Sequence, residues 1–437
     1  MKSGLPLLTV LAILASTQGV HAEELSEPDV SVDALELPAI ELPIDAPPTP
    51  TFERLWVQTS SEIRDLLYLK RGEPIQQYCG GIRIPKRPSF PQRLGNARQL
   101  LVEKFGGSPQ TEEAVLRGLK WLAKQQQEDG HWSGSQKSDV AVTSLCVLAF
   151  LGAGQTETYG RYKRQVEGAV QWLSKQQRKD GSICIPGESG DIGYSHALAG
   201  AALCEAHAML PYRPRNSCVE RALIFTVDKF QEVNPGDPDA KLGWHYKADA
   251  PADLAISSLC FMQLKTAKLA QMWVTPATFD GMIAFLDSLQ KPQKQADGQR
   301  LHRYGFADNK ALDYRATAAA CTCRIFLGWK PDDLKGGISY FLKEGGLPEW
   351  DEKGSKVDLF YWYWGSQACF QAGGDTWKNW NEALKTALVP KQIKEGADAG
   401  SWDPVGPNSE IWGRAGQTAL CVLCLETYYR YLRQNDK

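Results

Sequence analysis

The sequence lacks a charge imbalance and is poor in histidine. Its 49 Lys and Arg stand against 51 Asp and Glu, a net charge of −2. It therefore carries neither the basic footprint of a nucleic-acid-binding protein nor an acidic field for a cationic partner. The six histidines are scattered. His196 and His207 share one helical pattern but lie about three turns apart, and His131, His245 and His302 fall in or near turns. That spacing assembles no metal site, so no metal, cofactor or nucleic acid is expected. Also missing is an apolar run long enough to cross a bilayer.

The nearest approach to such a run is at the start of the chain. Lys2, the apolar stretch from Leu7 to Ala15 and the small-x-small pattern Val20-His21-Ala22 make residues 1–22 a signal peptide. The expectation is export, to the periplasm or beyond, with membrane association through this segment where it stays uncleaved. Residues 23–53 hold many acids, six prolines and no Lys or Arg, the composition of a disordered linker. Residues 54–109 mix an amphipathic stretch with a Gly/Pro-rich run and are expected to pack on the body, which occupies 110–437.

The body repeats. Arg117-Gly118-Leu119-Lys120-Trp121-Leu122 is followed by Gln126, Gly130 and Trp132, and the frame returns at Trp172-Leu173 with Gln177 and Gly181. Looser copies stand at Phe225 with Gln231 and Gly243-Trp244, at Phe285-Leu286 with Gln290, at Tyr340-Phe341, and at Gln392 with Gly400-Ser401-Trp402. The first four aromatic anchors step by 51 (172 − 121), 53 (225 − 172) and 60 (285 − 225) residues. Each unit predicts an outer helix ending in Gln and a Gly-containing turn, then a helix apolar nearly all round, as a helix buried on both sides is. These second helices are expected to begin near Asp139, Asp191, Asp253, Asp313, Asp358 and Gly413. One unit cannot bury such a helix alone, so the units must stack. Six pairs closing on themselves give an all-α (α/α)6 toroid, a double ring of helices around an apolar cavity.

The same frame resembles the repeat of squalene-hopene cyclases and protein prenyltransferase β subunits. The segments YSHALA, CRIFLGW, FYWYWGSQAC, AGSWDP and LETYYRYL resemble a group of exported bacterial repeat proteins. The resemblance implies a toroid and suggests two chemistries, and the residues depart from both. Class II cyclases protonate an alkene with the central acid of a DxDD motif. No such motif occurs here, and the nearest match, Pro331-Asp332-Asp333, precedes an outer helix, where acids favour the positive end of the helix dipole. Prenyltransferases hold zinc with Asp, Cys and His. If Asp313 matches their Asp, Arg315 stands in the place of Cys, and Asp358 is followed by Tyr361 in the place of His. The thioester run of complement-like relatives is absent too; only Tyr78-Cys79-Gly80-Gly81 is present.

What remains is a ring of acids, Asp139, Asp191, Asp253, Asp313 and Asp358, at the starts of inner helices. Repeat geometry gathers them at one mouth of the cavity, where they either cap helices or meet a ligand. Arg315 falls among them, able to pair with an acid or to hold an anionic head group. In the run Tyr361-Trp362-Tyr363-Trp364, about one or two rings must face the cavity whatever the helix rotation. Tyr194 and His196 on another inner helix, with Trp362 and Trp364, complete the expected ligand contacts. The expected partner is an apolar small molecule or isoprenoid lipid. One alternative is a diverged cyclase or lyase with Asp313 or Asp358 as the acid and Tyr361 and Trp364 as cation-stabilising aromatics. Another is a scaffold whose partner is an envelope protein. Of the eleven cysteines, most lie in inner-helix patterns and are expected to be free thiols serving as small hydrophobes.

Overall fold

The computed structural model describes residues 89–134, 138–185, 192–210, 216–234, 236–245, 250–291, 301–307 and 311–434. Residues 1–22, expected as a signal peptide, residues 23–53, expected as a linker, most of the N-terminal extension and Asp191 lie outside the described residues.

After a first helix, α1 (Gly95–Lys104), helices alternate between two rings. The outer set is α2 (Pro109–Gln125), α4 (Lys163–Lys175), α6 (Ser217–Ile224, extended by a π-helical turn Phe225–Phe230), α8 (Pro276–Leu289), α10 (Lys335–Gly345) and α12 (Gly374–Leu388). The inner set is α3 (Asp139–Gly152), α5 (Ile192–Met209), α7 (Leu254–Leu269), α9 (Tyr314–Phe326), α11 (Leu359–Ala372) and α13 (Ser409–Leu425). Burial separates the sets as periodicity requires. In α4 one stripe, Val166, Ala169, Val170, Trp172 and Leu173, is buried, whereas every residue of α3 from Val140 to Gly152 is. The inner helices pack in order, α3 on α5, α5 on α7, and so on to α13, which packs on α3 and closes the ring. The last of them starts earlier than the sequence suggests. It is helical from Ser409 and breaks at Gly413, whose φ of 60° and ψ of −170° interrupt the turn.

The repeated Gln, Gly and Trp account for the stacking. Gln126 Nε2 donates to Gly130 O in its own turn (2.8 Å) and to Gln165 O near the start of the next outer helix (2.8 Å). Gln177 bridges Gly181 O and Cys218 O in the same way, and Gln392 bridges Gly400 O and Ala114 O, joining the last repeat to the first. Each side-chain amide thus satisfies two carbonyls at a seam, contributing about 0.5–1.5 kcal/mol per bond. The tryptophans cap from below. Trp132, Trp244 and Trp402 donate Nε1–H to Leu122 O, Thr226 O and Leu388 O at the ends of the preceding outer elements. Gly130 (φ +104°) must be glycine, because a Cβ there would stand 2.4 Å from the backbone oxygen of Gly168.

One end of the ring is shut. The segment from Ser89 and the tail after α13 cross the C-terminal ends of the inner helices. Ser89 N donates to Ala208 O and its Oγ to Leu269 O, while Gln371 Nε2 donates to Leu432 O. Among the described residues, no helix is long and apolar enough to cross a membrane. No disulfide joins any two of the ten described cysteines, and all except Cys218 are buried. Burial pushes Cys204 and Cys321 up to about 12, so these thiols are inert.

Candidate functional site

At the other end the N-termini of the inner helices surround a cavity of about 140 Å³. All six inner helices reach it, α9 through Arg315 alone. Its depth is aliphatic, with Leu145, Leu148, Leu198, Leu259, Leu420 and Leu423. Its rim is aromatic and polar, with Tyr194, Phe306, Phe360 and Trp412 beside Arg315, Asp358, Asn408 and Gln417. Leu259, Leu420 and Tyr363 are only half-buried between buried neighbours on their helices, which marks the face that looks into the cavity. Tyr194 and Trp412 meet edge to face at 5.8 Å across the mouth.

The acids gathered near this mouth are chiefly caps. Asp253 accepts from Ala255 N (2.8 Å), Asp313 from Arg315 N (2.7 Å) and Asp358 from Tyr361 N (3.0 Å), the N-cap geometry that such carboxylates favour. Asp139 sits inside the first turn of α3 and accepts from Gly134 N (2.8 Å). Of these four, only Asp358 lines the cavity.

Asp313 and Asp358 differ electrostatically through Arg315. The guanidinium makes a two-pronged contact with Asp313 (Nη2 to Oδ2 2.7 Å, Nε to Oδ1 3.0 Å) and stands 4.0 Å from Asp358. Burial raises the Asp313 carboxyl, but the hydrogen bonds and charge of Arg315 outweigh it and hold the group below the usual carboxylate range. As a locked carboxylate it is unsuited to the acid role that the sequence offers it. Asp358 goes the other way. At 7% exposure, burial dominates and raises it despite the Tyr361 amide and Arg315. The Tyr314 hydroxyl lies 3.4 Å from its Oδ2.

Three other expected contacts point away. Tyr361 is buried against the outer ring, its hydroxyl donating to the carbonyl region of Phe341 and Gly346, 2.8 Å from each oxygen. Trp362 packs edge-on against Trp350. His196 lies in the wall, where Nδ1 accepts from Ile183 N (3.2 Å) and Nε2 therefore donates to Thr226 Oγ1 (2.8 Å). Burial pulls His196 down to about 3, so it is neutral and structural. Trp364 does line the cavity, as do its neighbours Phe360 and Tyr363 on the same helix face. Asp332 of the Asp-Asp pair is on the outside, paired with Lys335 at 3.1 Å. Among the described residues, no group of three His, Cys, Asp or Glu side chains is arranged to hold a metal ion.

Sequence reasoning missed what lies behind the cavity floor. Glu205 Oε1 receives Arg93 Nη1 (2.7 Å) and Arg430 Nη2 (3.1 Å), all three groups buried. Arg93 Nη2 donates to Arg430 O (2.9 Å), and Arg430 Nη1 donates to Leu148 O (2.9 Å). Burial raises Glu205, but Arg430 and Arg93 outweigh it and leave the carboxyl lowered. Lys265 Nζ sits 3.5 Å from the Phe326 ring centre and 3.7 Å from that of Tyr431, and burial takes its ammonium well below the usual range. The signal that could have found this cluster is Glu205 and Lys265 standing inside otherwise apolar inner-helix patterns.

No protein-family model and no curated protein matches the sequence. Solved structures match the fold. An inactive variant of an α-1,6-mannanase of glycoside hydrolase family 76 from Salegentibacter, in complex with α-1,6-mannotriose, superimposes with a TM-score of 0.51 at 10% identity, covering 73% of this chain and 99% of that one. A family 76 mannosidase from Bacteroides thetaiotaomicron gives 0.49 at 10% identity, over 72% and 97%. A type II terpene cyclase from Scytonema gives 0.48 at 14% identity, over 72% and 97%. The likeness to the mannanase is one of fold alone, that of an α/α toroid.

Proposed function

We propose that the protein binds an apolar ligand, of isoprenoid type, in the central cavity through the open mouth. The observation that carries this is a leucine-lined depth closed at its far end, with its few polar groups confined to the rim. A site of that kind is built for an apolar body with one polar end. Its leucines offer no partners for sugar hydroxyls, which would lose their hydrogen bonds on entry. The one pair of adjacent aspartates in the sequence, Asp332 and Asp333, is exposed on the outside and away from the cavity. A volume near 140 Å³ matches cavities of about 150 Å³ that hold a benzene ring. The terminal isoprene unit of a longer chain therefore occupies the depth, and the remainder lies against Tyr194, Phe306, Phe360 and Trp412 at the mouth. The exported location rests on residues 1–22 and accompanies this reading as a proposal.

The test is native mass spectrometry of the purified protein with farnesol and geranylgeraniol, alongside extraction of any co-purifying lipid. A stoichiometric complex in wild type that disappears in Leu420→Trp, with folding retained, is expected. No uptake by wild type, or equal uptake by the filled variant, sinks the reading.

A second reading has one observation behind it: Asp358 is a buried, raised carboxyl on the cavity wall, as an alkene-protonating acid must be. Under it, Asp358→Asn abolishes turnover of a bound polyene. Unaltered polyene after incubation with wild type removes it.

A further inference from the structure

A second concave surface lies on the outside of the toroid, where α1, α12 and the C-terminal tail meet. It is a groove of about 820 Å³, within the range of roughly 300–1,000 Å³ that holds small-molecule ligands. Its lining carries Lys104, Lys378, Lys385 and Arg433 against one acid, Glu382, in a chain whose 49 basic and 51 acidic residues nearly cancel. These cations come from separate parts of the sequence, so no local run of basic residues produces the cluster; the fold brings it together.

The floor is fixed before any ligand arrives. Trp377 Nε1 donates to Phe105 O (2.9 Å), Asn381 Nδ2 to Gly106 O (2.9 Å), and Tyr428 Oη to Asn381 Oδ1 (2.7 Å). Lys385 is held between Gly106 O (3.1 Å) and Glu382 (2.8 Å). The Arg433 guanidinium lies so close to Gly373 that a Cβ there would overlap its Nη2. Lys378 makes no ion pair among the described residues and is exposed.

We propose that this groove binds a phosphate-bearing anion, independently of the central cavity. Three of its four cations are lysines, point charges that donate to phosphate oxygens in many directions, while the arginine adds a planar fork. A preordered floor reduces the ordering cost of binding. Two sources share the chemistry: a soluble phosphate compound and the head group of an anionic phospholipid.

The full chain is titrated with pyrophosphate by calorimetry at low salt. It is also sedimented with vesicles of phosphatidylglycerol and phosphatidylcholine in equal parts, against phosphatidylcholine alone. The Lys104→Gln/Lys378→Gln double variant alters two exposed side chains, and its melting temperature confirms that it folds. Lys356→Gln, outside the groove, is the control. Binding that weakens about tenfold or more in the double variant, falls with added salt and is unchanged in the control is expected. Binding to pyrophosphate alone assigns a soluble ligand, and binding to phosphatidylglycerol vesicles alone assigns a lipid head group. Absence of both, or equal binding by the double variant, overturns the proposal.

Discussion

The two ends of the ring are made from the same helices and use charge in opposite ways. At the open end, Asp253, Asp313 and Asp358 pair with backbone amides of the helices they cap and Asp139 with Gly134 N of the preceding turn, around an apolar cavity. At the shut end, Arg93, Glu205 and Arg430 come from three distant parts of the chain and pair with one another inside the ring, two guanidiniums on one carboxylate. Local capping leaves a hole, whereas long-range pairing fills one. A toroid can therefore keep one entrance and lose the other without changing its helices.

The largest way to break this contrast is Glu205→Gln, which strands two buried guanidiniums. A loss of about 3–5 kcal/mol in urea unfolding is expected; a loss near 1 kcal/mol or less, the scale of an exposed pair, would erase the distinction between the ends. Acid sharpens it. Glu205 has a lowered folded pKa, so its contribution is present above the ordinary carboxylate range and is lost as pH falls through the folded value.

His196, in the wall between the ends, gives the next effect. Burial lowers its pKa from the ordinary 6.5 to about 3 in the folded state, so the unfolded chain takes up the proton first as pH falls. Stability should drop by up to about 1.4 kcal/mol per pH unit from 6.5 towards 3. His196→Gln should flatten that slope in a pH series of melts, and an unchanged slope would refute the neutral assignment.

The smallest effect belongs to the mouth. The Asp358 carboxyl is raised in the folded state, so its cost is absent at low pH, where both states are protonated, and grows as pH rises through the folded value. Asp358→Asn keeps a capping side chain and should gain stability slightly at neutral pH relative to acid, the opposite sign to Glu205→Gln. A loss at neutral pH would show that Asp358 is held as a charged cap.

The architecture was legible because its causes are local. Gln, Gly and Trp at fixed spacing make the seam hydrogen bonds themselves, and the aspartates at Asp253, Asp313 and Asp358 cap the helices they precede. The rotation of the inner helices was not legible, because a helix apolar on both faces has no period to read. In the aromatic run this sent Tyr361 and Trp362 outward and Tyr363 and Trp364 inward. The shut end was invisible for a different reason: the Arg93–Glu205 contact spans 112 residues and the Arg93–Arg430 contact 337, and no sequence window contains either.

The amide of Gln392 has one more consequence. It reaches Ala114 across 278 residues, so the first repeat waits for the last before its outer flank is covered. A chain emerging from the ribosome carries that uncovered edge through most of its synthesis, and ring closure pays a loop entropy that earlier stacking does not. The final repeat is thus the latch on which the timing of assembly turns, and a chain cut short before it leaves an apolar seam open to aggregation.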